Sequence, residues 1–442
     1  MDEPATRRCM KRRRSPRAAA AVAVLAGLLL SSALAACSGS SGVTTLSWYI
    51  NPDNGGQAAL AAKCTKAAGG RYKIQTSLLP NDATAQREQL VRRLAAKDSS
   101  IVLMSLDPPF IPEFAHAGFL RPFTNAEAAQ LTSGVFDSAV KASMWDGKLA
   151  AAPFWANTQL LWYRKSVAKK AGIDPATHDV TWQQIIDAAQ KTGTTVGVQG
   201  RLYEGYMVWI NALVASAGGE ILKNPQAGRD VTPAIDSAAG KAAATTIRAL
   251  ARSRAADPGL STADEEVVRT TFQSDKGGFM VNWPYAWAAA QDGVKTGVLK
   301  KAVLNDIGWA RYPRISANQP SRPPLGGISL GVSSFGQHHD FAVEAVRCIT
   351  SVQSQITYMI GQNPGASSKV YEDRQVRAVF PMADLIRASI SAAAPRPQTP
   401  YYTDVSSAVV RDFHPPASAN PATTPRKTAK LIIDVLHDRV LL

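Results

Sequence analysis

Ser100-Ile101-Val102-Leu103-Met104-Ser105-Leu106, followed at once by Asp107-Pro108-Pro109, is the stretch from which the fold is read. The run has strand length, and its nearly continuous apolar character suits a strand covered on both faces. The Asp-Pro-Pro sequence ends it sharply, because proline has no N–H to give to a ladder. Upstream, Thr45 to Ile50 and Tyr72 to Leu79 also read as strands. Helical stretches lie between them at Gln57 to Ala68 and at Ala83 to Lys97, the latter with Leu90, Val91 and Leu94 on one face. Strands alternating with helices imply an α/β protein whose parallel sheet is wrapped by helices.

The alternation continues downstream. Thr181 to Lys191 is an amphipathic helix opened by a Thr cap, and Val196 to Gln199 a short strand. Tyr206 to Leu222 reads as a helix interrupted by Gly218-Gly219, and Ala234 to Ala251 as an Ala-rich helix. Thr262 to Phe272 is helical, with Asp264, Glu265 and Glu266 placed where a helix N-terminus favours acids. Gly277 to Trp283 is a strand stopped by Pro284. Asn305 to Arg314 and Leu325 to Ser333 are strand-like, and the last hundred residues are helical, including Lys427 to Val440.

The N-terminus reads as a targeting segment. Lys11-Arg12-Arg13-Arg14 precedes an apolar run from Ala18 to Leu30, and Leu34-Ala35-Ala36-Cys37 closes it. A basic head, an apolar middle and small residues before a break describe a secretory signal. The alternatives are an ordinary signal peptide and an uncleaved anchor, although spanning a bilayer takes about 20 apolar residues. Met10, directly before the basic cluster, offers a second start. Leu-Ala-Ala-Cys resembles the lipobox of bacterial lipoproteins, which implies a signal peptide over 1–36, acylation of Cys37 and a lipidated tether over 37–43. The protein is then expected outside the cell, held to the outer face of the cytoplasmic membrane by its lipid alone.

Charge and cysteines are reread in that light. Seven basic and two acidic residues leave with 1–36, so the formal +15 falls to +10, and no basic run survives. A scattered basic surface in that compartment argues against a nucleic-acid partner. Cys9 leaves with the signal and Cys37 takes the lipid, so Cys64 and Cys348 remain. Each sits on a helical stretch; Phe341, Ala345 and Cys348 share one face of theirs. Outside the cytoplasm such a pair tends to oxidise, and a disulfide is expected, with two buried free thiols as the alternative.

Catalytic and metal motifs are weak. Gly327-Ile328-Ser329-Leu330-Gly331 fits G-x-S-x-G, but a nucleophile elbow needs a tight turn at Ser and a helix immediately after it. Here Ser329 lies inside a strand-like stretch. There is no H-E-x-x-H and no Cys-x-x-Cys, so neither a metal nor a cofactor is expected. The tryptophans are more telling. Trp48, Trp155, Trp162, Trp283 and Trp287 include several beside polar residues at strand ends, where open α/β sheets bind ligands. A flat aromatic face covers the apolar side of a sugar ring, while carboxylates and amides bind its hydroxyls.

The lipobox, the Asp after the third strand, P-F-W-A-N-T-Q-L-L-W-Y-R (Pro153 to Arg164), R-L-Y-E-G (Arg201 to Gly205), F-Q-S-D-K-G-G-F-M-V-N-W-P (Phe272 to Pro284) and G-G-I-S-L (Gly326 to Leu330) occur in this order. Together they resemble the extracytoplasmic sugar-binding lipoproteins of ABC importers, of the maltose- and trehalose-binding type, and among these the trehalose-binding lipoproteins of mycobacteria. The resemblance implies a periplasmic-binding-protein fold of two α/β lobes with a hinge and an interlobe cleft. Lobe 1 would hold 44–154 and 329–362, and lobe 2 would hold 157–327 and 363–442. It implies no catalysis, a monomer, and two partners: a disaccharide, most simply trehalose, and the permease subunits of the importer. The implied ligand contacts are Asp107, Asn157, Glu265, Trp283, Arg396 and the backbone of Gly327 and Ile328. Asn51, Asp53 and Asn54 in the first loop join them, although this loop departs from the mycobacterial pattern. For Asn157 the alternative is a hinge hydrogen bond, for Glu265 a carboxylate at a helix start, and for Arg396 a surface charge. Two rival functions remain: a binding protein for another α-glucoside or a glycerophosphodiester, and a secreted glycoside hydrolase using Asp107 and Glu265 as its carboxylate pair.

Overall fold

A computed structural model describes residues 43–53, 55–361 and 363–442. The signal-like segment, Cys37 and Asn54 lie outside the described residues. The chain starts as β1 (Thr44–Ile50), α1 (Gly56–Ala67), β2 (Tyr72–Leu78), α2 (Ala83–Ala95) and β3 (Leu103–Leu106), the alternation the sequence predicts. All of β3 is buried. It is shorter than the apolar run because Val102, though buried, pairs differently. Its N–H donates to the Ser47 hydroxyl at 3.1 Å, and its carbonyl accepts from the Ser333 N–H at 2.9 Å.

The chain then crosses to a second sheet and returns. β4 (Ala152–Thr158) passes through Gln159 into β5 (Leu160–Arg164), and β6 (Thr195–Gly197) follows. Next come α3 (Glu204–Ser216), α4 (Glu265–Gln273), β7 (Gly277–Asn282), β8 (Ile307–Ala310) and β9 (Leu325–Val332). α5 (His339–Thr350) and α6 (Tyr402–Phe413) are among the helices that complete the fold. One sheet has the order β2-β1-β3-β9-β4 and the other β8-β5-β7-β6. These are the two α/β lobes of the expected fold class.

The first sheet is not wholly parallel as the alternation implied. β1, β2 and β3 are parallel, whereas β9 runs against both β3 and β4. β9 arrives from the second sheet at the end where β3 leaves, so it must point the other way. The pairing of β9 with β4 runs from Leu325↔Thr158 through Ile328↔Trp155. The two strands that connect the sheets therefore lie side by side.

Several ends differ from the sequence reading. α3 stops at Ser216, and Gly218 has φ +77°, so Leu222 belongs to a short strand and not to the helix. Asp264 is the cap of α4 and not part of its first turn; its carboxylate accepts from the Glu266 and Val267 N–H groups at 3.2 and 3.0 Å. The last helix is Thr424–Leu436, with Pro425 in its first turn, where a missing N–H costs nothing. Ser329, the candidate elbow, lies in mid-strand; its hydroxyl meets that of Ser143 at 2.8 Å. Among the described residues no helix is long and apolar enough to cross a membrane.

Cys64 on α1 and Cys348 on α5 are disulfide-bonded, with Cα atoms 5.9 Å apart and a sequence separation of 284. Cys64 is fully buried, within the cluster that also holds Leu46, Trp48, Val343 and Val346. The bond ties the first helix of the β2-β1-β3-β9-β4 lobe to the helix that follows its return strand. Replacing both cysteines by alanine is expected to lower the unfolding free energy by about 2–5 kcal/mol, since so long a loop is released in the unfolded chain. Denaturant unfolding of the two proteins checks this; equal midpoints would show that the bond adds nothing.

Candidate functional site: the interlobe cleft

β3 delivers Asp107 to the carboxyl end of the first sheet, where Pro108 and Pro109 turn the chain away. Nearby, Asp53 closes the loop after β1. Its carboxylate accepts the Gly55 and Gln57 N–H groups at 2.9 and 2.8 Å, so it caps α1. The Gln57 side chain, fully buried, donates to the Asn51 carbonyl at 2.9 Å and accepts from Ser105 at 2.9 Å. Ser105 in turn accepts from the Trp48 indole at 3.1 Å. This chain of bonds fixes the Asn51–Asp53 loop against β3.

The connecting strands supply the floor. Every residue of β4 is buried except Trp155, and every residue of β9 except Gly327. Both open onto the cleft. Gly327 has φ +132°, and a Cβ there would lie 2.3 Å from the Trp155 carbonyl oxygen. A Cβ at Gly326 would come within 2.9 Å of the Trp283 indole. The two glycines of G-G-I-S-L thus let one strand pass close to β4 while the Trp283 ring lies flush against it. Asn157 is buried, and its side-chain oxygen accepts the Thr158 N–H at 2.9 Å, a bond within the connecting strand.

The second lobe supplies Trp283, Glu265 and Glu204. Asn282, at the end of β7, holds this wall together. It donates to the Glu265 carbonyl at 3.0 Å, accepts from the Trp283 N–H at 2.9 Å, and its carbonyl accepts from the Trp162 indole at 2.9 Å. Trp283 is left half-buried. Glu265 is the first residue of α4, and its carboxylate accepts from the Tyr203 hydroxyl. Burial pushes the Glu265 carboxyl above the usual range.

Arg396 joins the lobes. It is 4 % exposed, which overturns the surface-charge alternative. One guanidinium nitrogen lies 2.6 Å from Asp107 and another 2.7 Å from Glu204. Glu204 also accepts from Ser406 at 2.8 Å and from the Tyr402 hydroxyl. Two carboxylates thus share one cation. Burial raises both carboxyls, against the pull of the guanidinium.

Asn51, Asp53, Asp107, Asn157, Glu265, Trp283, Gly327, Ile328 and Arg396 all line one cavity of about 530 Å³. Of the expected contacts, Asn54 alone falls outside the described residues. The sequence reading did not single out Tyr203 or Glu204, and it placed Trp155 and Tyr285 at strand ends where ligands bind without counting them among the contacts. Glu204 carried a signal: it is the acid of R-L-Y-E-G and stands at the head of a helix buried almost all round. Among the described residues no group of three or more His, Cys, Asp or Glu side chains could hold a metal. The cleft offers aromatic faces, carboxylates, amides and one guanidinium, a set suited to binding polyhydroxylated molecules.

Comparison with known proteins agrees with this geometry. Residues 53–356 match the family described as bacterial extracellular solute-binding protein, and the chain belongs to that family. It is 27 % identical over 365 residues to a Deinococcus radiodurans protein named "Probable ABC transporter-binding protein", covering 76 % of this chain and 80 % of that one. It is 24 % identical over 229 residues to the sn-glycerol-3-phosphate-binding periplasmic protein UgpB of Agrobacterium fabrum, about half of each chain. The structure of maltose-bound MalE3 of T. maritima superposes with a TM-score of 0.75 at 24 % identity, covering 90 % of this chain and 100 % of that one. At that identity the likeness speaks for the fold.

The shared guanidinium sets a stability test. Arg396→Met leaves two carboxylates buried without a cation and is expected to cost about 3–5 kcal/mol at neutral pH. Burial raises both carboxyls and the guanidinium opposes that rise, so without it the variant's native state takes up protons at still higher pH. The deficit should therefore shrink as the pH falls from neutral through those raised values. Denaturant melts of both proteins across that range check it; a deficit independent of pH would mean the carboxylates are not its source.

Proposed function

We propose that this protein captures a disaccharide, with trehalose the expected ligand, between its two lobes and delivers it to the permease of an ABC importer. The observation that carries the reading is the cavity of about 530 Å³, which puts Trp155, Trp283, Asp107, Glu265 and Arg396 around one space. Cavities of this size suit small ligands of one or two rings. Trp283 would cover the apolar face of a sugar ring, and Asp107, Asn157 and Glu265 would accept or exchange hydroxyl hydrogen bonds. Membership of a solute-binding family and the named roles of its relatives support capture over catalysis. In the same reading Cys37 carries the lipid that holds the chain outside the membrane. The lobes divide as the resemblance implies and hinge where β4 and β9 run together.

Calorimetry against trehalose, maltose, other α-glucosides and glycerophosphodiesters tests the ligand. Trehalose is expected to bind most tightly; a glycerophosphodiester binding better would replace it, and glucose release from trehalose would revive the hydrolase. Trp283→Ala should weaken sugar binding about tenfold to a hundredfold while the protein still folds. Unchanged affinity would remove Trp283 from the site.

Small-angle scattering tests the hinge. Ligand shifts a two-state equilibrium only by binding one state better, and a sugar touching both lobes favours the closed one. Saturating trehalose should lower the radius of gyration, and Asp107→Ala should reduce that change at equal sugar.

A further inference from the structure

The charge lining the cleft is one-sided. Six carboxylates (Asp53, Asp82, Asp107, Glu204, Glu265 and Glu266) and a single cation, Arg396, are among the described residues around it. Three of the six are satisfied on the spot. Asp53 caps α1, and Asp82 caps α2, accepting the Ala85 N–H at 3.0 Å. Glu266 pairs with Arg269 at 2.7 Å. Asp107 and Glu204 divide Arg396 between them, so one guanidinium serves two buried carboxyls. Glu265 has no cationic partner among the described residues; the Tyr203 hydroxyl is its side-chain donor.

A second observation points the same cavity toward a hydroxyl-rich ligand. Asn51 Oδ1, Trp155 Nε1, the Tyr285 hydroxyl and Arg396 Nε are buried without a hydrogen-bond partner, and all four residues line the cleft. Buried polar atoms are seldom left unpaired, so these atoms mark places for ligand oxygens and hydroxyls. They satisfy a sugar skeleton. They do not neutralise Glu265.

Resting on the disaccharide reading, we propose that the cleft takes a glycoside bearing a protonated amino group, held against Glu265, and refuses phosphorylated sugars. A neutral hydroxyl can donate one hydrogen bond to Glu265 but brings no charge to hold it ionised, and burial alone disfavours its ionised form. An ammonium gives the hydrogen bond and the opposite charge together, and such charge-assisted bonds are about twice as strong as neutral ones. A phosphate would bring negative charge to a cleft lined by six carboxyls and one guanidinium. The guanidinium that would receive it is held by two carboxylates. Charge repulsion of this kind is a standard device for rejecting a competitor. It would separate this chain from the Agrobacterium fabrum relative named for sn-glycerol 3-phosphate, to which it is similar over about half its length.

Calorimetry on the full chain decides it. Trehalose and maltose are each titrated beside their monoamino-deoxy derivatives and their 6-phosphates, into the wild type and into Glu265→Gln. At least one amino derivative should bind about tenfold or more tightly than its parent, and the phosphates about a hundredfold more weakly. In Glu265→Gln the amine's advantage should fall to within about threefold. If a parent sugar binds and no amino derivative binds better, this proposal falls and the disaccharide reading stands. A phosphate binding as well as its parent, or an amine advantage undiminished in Glu265→Gln, also overturns it. If no sugar, charged or neutral, binds, both readings fall. The wild-type titrations decide alone if the variant does not fold.

Discussion

One guanidinium shared by two carboxylates holds the centre of this cleft. Asp107 comes from the end of β3, Glu204 from the head of α3, and Arg396 from the extended segment that precedes α6. None of the three is a neighbour of another in sequence, so the site exists only when both sheets are in place. Removing a cation from such an arrangement is costly because the charges it served stay buried. The same interaction spans the cleft directly. The two sheets are therefore tied together at Asp107, Glu204 and Arg396.

The backbone around this centre is shaped for close approach. β4 and β9 run side by side between the sheets, and Gly327 lets β9 come near the Trp155 carbonyl. Gly326 leaves room for the edge of Trp283. Rigidity comes from buried amides: Gln159 bonds Gln199 at 3.0 Å beneath the crossing, and Gln199 bonds the Val281 carbonyl at 3.1 Å. The aromatic platform and the connecting strands are thus one packed unit. Trp283 lies against the strands that connect the two sheets.

Much of this was legible in the sequence, and for identifiable reasons. The buried strand before Asp107 and the helix opened by Thr181 rest on local rules of periodicity and capping; the Thr181–Gln184 capping box forms. The disulfide followed from compartment and count. The direction of β9 was not legible, because strand direction is set by where the chain has come from and not by local pattern. The partner of Arg396 was hidden for a similar reason. A lone Arg between prolines looks like a surface charge until two distant carboxylates are brought to it. Glu204 was visible as part of a motif, but its role depends on Tyr402, Ser406 and Arg396, which lie about 200 residues away. Helix ends at Ser216 and Leu436 were misjudged by several residues, where glycine, proline and fraying compete.

The bond between Cys64 and Cys348 has a topological consequence. Everything between them, including both connecting strands and the whole four-stranded sheet, lies on a closed covalent ring. A single proteolytic nick in that ring opens it without dividing the molecule; two cuts, or one cut and a reductant, are needed to shed a piece. Exposed segments of the half that holds the four-stranded sheet, such as the stretch around Val298, can therefore be clipped once while both ends of the chain stay joined. Under protease, that connectivity keeps a once-cut chain in one covalent piece.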